Sequence, residues 1–412
     1  MDTYIDILKS FWQPFSQFWW IILPVAFYFI FEIIWKDFVQ NNWLGSLEWT
    51  MLEIIPPKDL EKGPKPMESV YQGLCGVLTT FNTFDEWVSG KTTDRFSLEL
   101  VSLGGEVHFY VRVQKRLYNL VESQIYAQYP GAEIREVEDY MRNFPRVVPN
   151  RDWDLWGSDI VLSGPDPFPI RTYDKFEEDI TGTMIDPMAG FVELFASVPP
   201  GQNLLWQMVI FPEPEPWKKN QMSYVQKVAG REKGESGGIL QDLKDIFAHL
   251  FSAFLGPVEF PKKAKKEEQP LAFRLTPNET EQLKALEENL SKNTYRVKMR
   301  MLNIGLKENF EKTLHTAFFG VLRQFNDLNS NNLKPDNTKT VANFVAVDSR
   351  VQTMKRRIYN RYRNRNMDGN KFAFSVTELA TVYHLPDMGV MTPALPRVES
   401  KKGTPPSNLP IG

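Results

Sequence analysis

The stretch RFSLELVSLGGEVHFYVRV spans residues 95–113 and contains two runs in which apolar side chains recur at alternating positions. The first run is Arg95–Leu103, the second is Glu106–Val113, and Gly104-Gly105 lies between them. Successive side chains of a strand point to opposite faces, so this alternation is typical of a strand with one buried face. Two adjacent glycines readily adopt the positive φ angles of a tight turn. The stretch therefore predicts an antiparallel β-hairpin.

Elements on both sides extend this hairpin into a mixed domain. A strand is predicted over 48–55, followed by a proline-rich break and a helix-like run from Met67. After the hairpin, residues 115–129 carry apolar side chains at helical spacing and end at Pro130-Gly131, which stops a helix. Residues 132–140 return as a strand, so the order from the hairpin onward is β-β-α-β.

The second half of the chain repeats helices and strands. Asp186-Pro187 predicts a helix start, because Asp caps free backbone N–H groups and Pro suits the first helical position. Leu204–Phe211 has the apolar run of a buried strand, and the spacing from Gly237 to Leu255 indicates an amphipathic helix. The elements predicted after that are a helix from Thr276 to Lys292, a strand over Tyr295–Met301, a helix over Lys307–Asp327 and a strand over Val341–Val347.

These patterns predict an α+β chain with one N-terminal transmembrane helix, two ferredoxin-like α/β sandwich units and an extended Pro-rich tail. We expect an N-terminal segment at 1–45, a first α/β domain at 46–180, and a second at 181–385 with a charged linker at 261–270. Residues 386–412 are rich in Pro, Gly and Lys and lack apolar periodicity, which is typical of an extended segment.

The transmembrane prediction rests on Phe18–Trp35, in which Glu32 is the only charged side chain. A helix of that length spans about 27 Å, close to the thickness of a bilayer core. Aromatic residues stand at both ends, as expected where rings rest among lipid headgroups. The predicted anchor residues are Trp19, Trp20, Pro24 and Trp35. The alternatives are a buried helix of a soluble core and a cleaved signal peptide, although the basic start and small-residue cleavage site of a signal peptide are missing.

Composition and charge place the body of the protein in the cytoplasm. The 412 residues carry a formal net charge of -3, so bulk electrostatics give no general attraction to nucleic acid or to an anionic surface. Cys75 is the only cysteine, so no intramolecular disulfide forms and nothing requires an oxidising compartment. More lysines follow the apolar run than precede it, which favours a cytoplasmic body. We therefore expect a single-pass protein of the cytoplasmic membrane.

No pattern in the sequence predicts catalysis, a cofactor or a metal site, so we expect a non-enzymatic protein. SGKTT at 89–93 resembles the end of a phosphate-binding loop, but Asp85 stands where the first glycine belongs, and a strand is predicted to follow in place of a helix. The four histidines are scattered without metal-ligand spacing. Cys75 has no identifiable histidine partner, so packing explains it better than nucleophilic chemistry.

One local basic segment, KRRIYNRYRNRN at 355–366, interleaves cations with Tyr359 and Tyr362. Its cations are Lys355, Arg356, Arg357, Arg361, Arg363 and Arg365. Arginine and aromatic side chains together bind phosphates and stack on unpaired bases, which makes single-stranded DNA a candidate partner. The alternatives are a solvated helix face and a patch that meets an acidic protein.

Six stretches across the chain carry a family resemblance. They are FSLELVSLGGEVHFYVRV (96–113), VESQIYAQYPGAEIREVEDY (121–140), LLWQMVIFP (204–212), TYRVKMRMLNI (294–304), FAFSVTELATVYHLP (372–386) and RVESKKGTPPSNLP (397–410). Together they resemble the membrane-anchored N-terminal region that precedes the motor domain in conjugation or type IV secretion ATPase-like proteins of candidate-phyla bacteria, which are related to HerA/FtsK-type motors.

The resemblance implies a membrane-anchored adaptor that recruits or orients a DNA-translocating or type IV secretion-like ATPase. Because the chain stops at Gly412 without a complete phosphate-binding loop, the motor is expected either in a separate chain or outside the given sequence. The expected partner is a HerA/FtsK-like ATPase in a separate chain. The residues assigned to that contact are His384, Pro386, Pro405 and Pro406, and those expected to anchor the segment on the body are Phe372, Phe374, Leu379, Tyr383 and Leu385.

Other partners and one other function stay open. The lipid bilayer, single-stranded DNA and a second copy of the chain are the further candidate partners. The alternative function is that of a membrane-tethered nucleic-acid-binding protein, which would use the basic segment between Lys355 and Arg365.

Overall fold

The 95–113 stretch forms the predicted hairpin in a computed structural model of the protein. Strand β2 (Phe96–Leu103) pairs antiparallel with strand β3 (Glu106–Gln114) along its length. Gly104 and Gly105 join the strands with φ angles of 61° and 103°, a conformation that glycine adopts without a steric penalty. The hairpin prediction is confirmed.

The structure describes residues 2–176, 185–214, 217–218, 221–222, 277–310, 313–327, 329–336, 340–341, 346–390 and 392–399. Side chains are described for all of these except 2–22 and 277–279.

The strands of the described residues join one antiparallel sheet. Besides β2 and β3 they are β1 (Trp49–Ile55), β4 (Glu133–Val137), β5 (Trp153–Leu162), β6 (Gln202–Pro212), β7 (Thr294–Leu306), β8 (Leu333–Pro335) and β9 (Phe372–Ser375). The order across this nine-stranded sheet is β4-β1-β3-β2-β6-β7-β5-β8, and β9 pairs with the first residues of β7.

Helices cover both faces of the sheet. In chain order they are α1 (Asp2–Ser46), α2 (Lys65–Leu74), α3 (Thr83–Trp87), α4 (Tyr118–Gln128), α5 (Ala189–Ala196), α6 (Pro277–Ser291), α7 (Thr313–Leu322), α8 (Val347–Arg363) and α9 (Val376–Val382). Buried side chains of α2, α4, α5, α7 and α9 belong to the core on one face, whereas α8 contributes to the core on the other.

The larger core lies between the sheet and the first group of helices. Trp206 on β6 is fully buried, and its ring centroid lies 4.5 Å from that of Phe191 on α5 and 5.4 Å from that of Phe318 on α7. The predicted strand at 295–301 contributes its alternate apolar residues to the same core. Truncation of a buried aromatic side chain of this size costs about 3–5 kcal/mol, so this layer holds α5 and α7 on the sheet.

The second face of the sheet combines apolar and charged side chains. Leu205 and Leu302 pack with Tyr362 of α8 in a smaller core. The same part of the sheet also buries ionic side chains completely, namely Glu99, Asp159, Lys298 and Arg300. Buried charges require partners, so α8 and the loops beside it cover an ion-paired layer as well as an apolar one.

The prediction of two ferredoxin-like units is wrong. Strand β5, from the first predicted unit, lies between β7 and β8 of the second, and β2 of the first pairs with β6 of the second. The strands of both halves therefore share one sheet. Alternation of apolar residues identifies a strand and its buried face, but the choice of neighbour depends on side-chain packing across the whole sheet.

Several other predicted elements differ from the structure. The helix predicted over 307–327 is limited to α7 between short 3-10 turns, and Val347, the predicted end of a strand, begins α8. The tail is not extended throughout, because it turns at 388–389 and 393–395. Some predicted elements lie outside the described residues. They are the helix at 237–255, the charged linker at 261–270, most of the cap of the helix that begins at Thr276, residues 342–345 of the predicted strand, and the tail beyond Glu399.

The prediction of a transmembrane helix is wrong, and so is the single-pass membrane localisation that rested on it. No helix within the described residues is long and apolar enough to cross a bilayer. In the part of α1 whose side chains are described, the apolar run gives way to Glu32, Lys36 and Asp37 well before the helix ends. Among the described side chains the uncharged apolar run is therefore Leu23–Phe31, which is shorter than the about 20 residues that a span requires.

The C-terminal part of α1 packs on the body through α3. Trp35 Nε1 donates to the carbonyl oxygen of Trp87 at 2.7 Å, and the Lys36 ammonium lies 4.6 Å from the centroid of the Trp87 ring. Pro24 is exposed, and the side chains of Trp19 and Trp20 lie outside the described set. Trp35, predicted as a membrane anchor, therefore contacts the folded body.

Candidate functional site

Helix α8 places the basic segment at the boundary between the sheet and solvent. Ile358, Tyr359 and Tyr362 are buried against the sheet, so the cations between them lie on the flanks and outer surface of the helix. Lys355 is on a flank, where its Nζ contacts Asp154 Oδ1 on β5 at 2.6 Å. The charge of Lys355 is therefore used within the fold.

Arg361 and Arg363 also contact the body. A terminal nitrogen of Arg361 lies 3.8 Å from Asp159 Oδ2. Arg363 Nη1 donates to the carbonyl oxygen of Pro145 and to the hydroxyl of Tyr359, at 3.2 Å in both cases. Because these two acceptors are neutral, the positive charge of Arg363 is held in place without being cancelled.

Arg365 is buried in a network of charged and hydroxyl groups. Its Nε lies 2.9 Å from Glu99 Oε1, and its Nη1 lies 2.6 Å from Asp139 Oδ2. Glu99 also accepts hydrogen bonds from Ser97 and Tyr140, both at 2.5 Å. Burial opposes ionisation of Glu99, but Arg365 and these donors outweigh it and hold the pKa of the carboxyl below its ordinary value. Arg365 is therefore a structural cation.

Arg356 and Arg357 are the exposed members of the basic segment. Within the described part of the chain, neither side chain has an ion pair or a hydrogen bond. The six cations proposed for nucleic-acid binding are thus divided between the interior, the helix flank and the outer surface. Two of them remain available to a partner on the outer face of α8.

A second buried ionic cluster joins β5 and β7, and no pattern in the sequence predicted it. Asp159 on β5 contacts Lys298 Nζ at 2.8 Å and Arg300 Nε at 3.0 Å, and all three side chains are fully buried. Lys298 and Arg300 alternate with apolar residues of β7, a pattern that ordinarily indicates a strand with one solvated face. No local signal in the sequence distinguishes this strand, because its position in mid-sheet, covered on both faces, is set by the tertiary structure.

The segment from Phe372 to Leu385 is anchored deep in the body. The predicted anchor residues Phe372, Phe374, Leu379, Tyr383 and Leu385 are all buried, which confirms that part of the prediction. Ser375 caps α9 in a capping box with Glu378, whose Oε1 also accepts from the Ile170 N–H at 3.0 Å. This segment is part of the main core.

His384 joins this segment to the loop before α5. Its Nε2 lies 2.8 Å from Asp186 Oδ1, and its Nδ1 lies 2.8 Å from the carbonyl oxygen of Ala380. Both ring nitrogens therefore contact oxygen atoms of the surrounding protein. Burial opposes the charge of Asp186, but His384 and two backbone N–H groups outweigh it and lower the pKa of that carboxyl.

The tail continues from this anchor across the surface. Pro386 is buried, and Asp387 N–H donates to Asp186 Oδ2 at 2.8 Å. Arg397 then donates to the carbonyl oxygens of Asp387 and Val390 at 2.6 and 2.9 Å. Beyond it the tail forms a parallel bridge at Val398 with Pro57. Pro405 and Pro406 lie outside the described residues, so only the start of the predicted contact segment is placed.

The SGKTT sequence and Cys75, which were not predicted to form a functional site, have structural roles. SGKTT at 89–93 leads into β2, as predicted, and Lys91 Nζ contacts Asp85 Oδ1 at 2.8 Å. Burial raises the pKa of the Cys75 thiol, which lowers its reactivity. In the described ranges, no group of three or more His, Cys, Asp or Glu side chains is arranged to hold a metal ion.

One protein-family model matches residues 40–397 of the chain, and that family is described as a domain of unknown function, DUF8128. No curated protein matches the chain. The matched region starts in the C-terminal part of α1 and ends at Arg397, so it includes the whole sheet and the anchored part of the tail. The chain therefore belongs to the DUF8128 family.

Proposed function

We propose that the chain is a non-catalytic adaptor that recruits or orients a DNA-translocating or type IV secretion-like ATPase, of the HerA/FtsK kind, in a separate chain. The observation that carries the proposal is the anchoring of the tail up to Glu399. The resemblance to proteins in which this segment leads into a motor domain supplies the identity of the partner.

The anchoring matters because an adaptor must hold its partner at a defined place. His384 and Asp387 both contact Asp186, and Arg397 closes the surface part of the tail on itself. The described part of the tail therefore ends at a fixed point beside Pro57. A segment that starts from a fixed point presents its binding residues at high effective concentration.

The sequence beyond that point suits binding to a second protein. Residues 400–412 contain Pro405, Pro406 and Pro410. Proline restricts the free chain, so less conformational entropy is lost when such a segment binds. This supports a contact with the ATPase that involves Pro405 and Pro406.

Truncation after Glu399 tests the proposal without touching the described body. We expect the truncated protein to keep the melting temperature of the full chain and to lose copurification with a HerA/FtsK-like ATPase expressed beside it. The matched control replaces Lys401 and Lys402 with Ala, which keeps the length and the prolines. If the truncated protein retains the ATPase at full yield, the tail does not form the contact with the ATPase.

A second candidate function is nucleic-acid binding through Arg356 and Arg357, since both side chains are exposed on α8. Each phosphate contact with single-stranded DNA contributes a slope of about −0.7 to the dependence of log affinity on log salt. Replacement of both arginines by Gln is therefore expected to reduce the slope by about 1.4. An unchanged slope and affinity for a single-stranded oligonucleotide would retire this function.

A further inference from the structure

A polar cavity lies between the C-terminal part of α1 and the second face of the sheet. Its volume is about 530 Å³, within the range of about 300–1,000 Å³ that is usual for small-molecule sites. Asp37 and Gln40 of α1 form one wall, and the loop that follows α8, from Asn364 to Asp368, forms another. The sheet supplies the floor.

Two arginines of the hairpin form part of that floor. Arg112 on β3 stands directly opposite Ser97 on β2, and Arg95 lies two residues before Ser97, so both belong to the same face of the sheet. Both arginines are half-buried. The Arg112 guanidinium lies 4.5 Å from the centroid of the Trp49 ring, which covers one of its faces. The two guanidinium groups are thus held at the cavity by the most regular part of the fold.

Neither guanidinium has an ion pair or a hydrogen bond within the described part of the chain. Burial lowers the pKa of Arg95. Burial and the nearby Arg365 lower the pKa of Arg112 to about 10. In both cases the loss of hydration outweighs the nearby carboxylates, which are Asp368 for Arg95 and Asp139 and Glu99 for Arg112. An anion in the cavity would accept the hydrogen bonds that these two guanidinium groups do not make within the described part of the chain.

The charge on the cavity wall is positive overall. The lining contains five cationic side chains and three carboxylates, a difference of two positive charges: Arg95, Arg112, Arg363, Arg365 and Lys371 against Asp37, Asp139 and Asp368. Arg365 is already paired with Asp139 and with the buried Glu99, so the excess positive charge belongs to the other cations of the wall. Lys371 stands at the rim, where partial loss of hydration and the charge of Arg95 lower the pKa of its ammonium group.

An unsatisfied hydroxyl lies in the neighbouring cavity. That cavity has a volume of about 290 Å³ and shares Arg95 and Lys371 with the larger one. Thr92 lines it, and Thr92 Oγ1 is buried without a hydrogen-bond partner in the described part of the chain. That hydroxyl has no accessible surface through which a ligand could contact it, so the neighbouring cavity contributes to the site only through the shared residues Arg95 and Lys371.

We propose that this cavity binds a phosphate group of a small molecule, with the guanidinium groups of Arg95 and Arg112 as its principal ligands and Lys371 at the rim. Guanidinium binds phosphate oxygens in a bidentate manner, which favours phosphate over a spherical anion. The cavity volume admits a phosphorylated molecule of nucleotide size. The site is separate from the tail and does not depend on the adaptor function.

Titration calorimetry of the full chain with inorganic phosphate, pyrophosphate and ATP tests the site. We expect saturable binding of at least one of these, weakened about tenfold or more by Arg112→Gln and by Arg95→Gln, since a charged hydrogen bond is lost. The matched control is Arg142→Gln, because Arg142 is an exposed cation outside the cavity. Its Nη1 lies 3.7 Å from Glu138 Oε2. That control should bind like the unmodified protein.

Thermal melting separates a binding role from a structural one. Arg112→Gln should melt close to the unmodified protein when phosphate is absent, and it should lose the rise in melting temperature that phosphate compounds produce. The proposal is overturned if none of the three compounds binds at millimolar concentration, or if both cavity variants bind as well as Arg142→Gln. Binding of a single-stranded oligonucleotide without binding of any small phosphate would also overturn it and would assign the cavity to nucleic acid.

Discussion

The guanidinium of Arg365 contacts the carboxylate of Glu99 at 2.9 Å, although the two residues are 266 positions apart in the chain. Arg365 has a φ angle of 49°, a left-handed conformation that costs an L-residue about 1–2 kcal/mol. Its ion pairs with Glu99 and Asp139 hold the residue in that conformation. The contact therefore positions the loop after α8 over β2, where that loop forms a wall of the basic cavity.

Replacement of Arg365 by Ala should strongly destabilise the fold. It would leave the buried Glu99 carboxylate without its cation, and loss of one partner from a buried ion pair costs about 3–5 kcal/mol. Urea unfolding gives the free energy of unfolding directly. The control is Arg356→Ala, which removes an exposed arginine of the same basic segment and should change stability by less than about 0.5 kcal/mol. Equal effects of the two variants would contradict the structural role of Arg365.

Glu378 should make the protein less stable as the pH rises from about 4.5 to about 7. Burial raises the pKa of this carboxyl to about 7 in the folded protein. The folded state therefore holds a proton that the unfolded state releases, so stability is full below the unfolded pKa and falls until the folded pKa is passed. The slope is at most about 1.4 kcal/mol per pH unit.

Comparison with Glu378→Gln isolates this term from other titrating groups. Unfolding free energies of the two proteins, measured at intervals between pH 4.5 and 7, should converge or cross because only the unmodified protein loses the contribution of Glu378. Parallel curves over the whole interval would show that the pKa of Glu378 is not raised.

Gly90→Ala should loosen the docking of α1 on the body. Gly90 has a φ angle of 67°, and a Cβ at this position would lie 2.2 Å from the carbonyl oxygen of Val39 on α1. Both the backbone strain and the clash oppose the substitution, so the loop and the helix must move apart. Limited proteolysis between α1 and β1 reports the change. In the control, Gly76→Ala, the added Cβ meets nothing within 4 Å, so equally fast cleavage of both variants would count against the prediction.

Asp186→Asn should release the tail while preserving the start of α5. The amide oxygen of Asn can still accept from Met188 N–H, which now donates to Asp186 Oδ1 at 2.7 Å. The carboxylate that His384 Nε2 and the Asp387 N–H contact is lost, however. We expect a loss of about 1–3 kcal/mol in the free energy of unfolding. Cleavage within 386–399 should become faster. Asp174→Asn removes an exposed carboxylate and serves as the control; the same loss of stability in both would disprove a special role for the His384 pair.

The sequence by itself determined the features that depend on local periodicity. The hairpin at 95–113 and the strands around 204–211 and 295–301 follow from the local pattern of apolar side chains. Gly104-Gly105 likewise marks its turn because few other residues tolerate positive φ angles there. Each of these signals lies within a few neighbouring residues, so it does not depend on contacts with the rest of the chain.

Only the tertiary structure decided which strands are neighbours, and with that choice it decided the environment of each charge. The local sequence around Lys298, Arg300 and Arg365 is the same as that expected around cations exposed to solvent. Each of the three is nevertheless buried against a carboxylate that is distant in the chain. Arg95 and Arg112 share a hairpin with no signal of a site, and they line a cavity because α1 and the loop after α8 are brought over them. A charge is solvated, paired or available for a ligand according to what surrounds it in space, and local sequence does not contain that information.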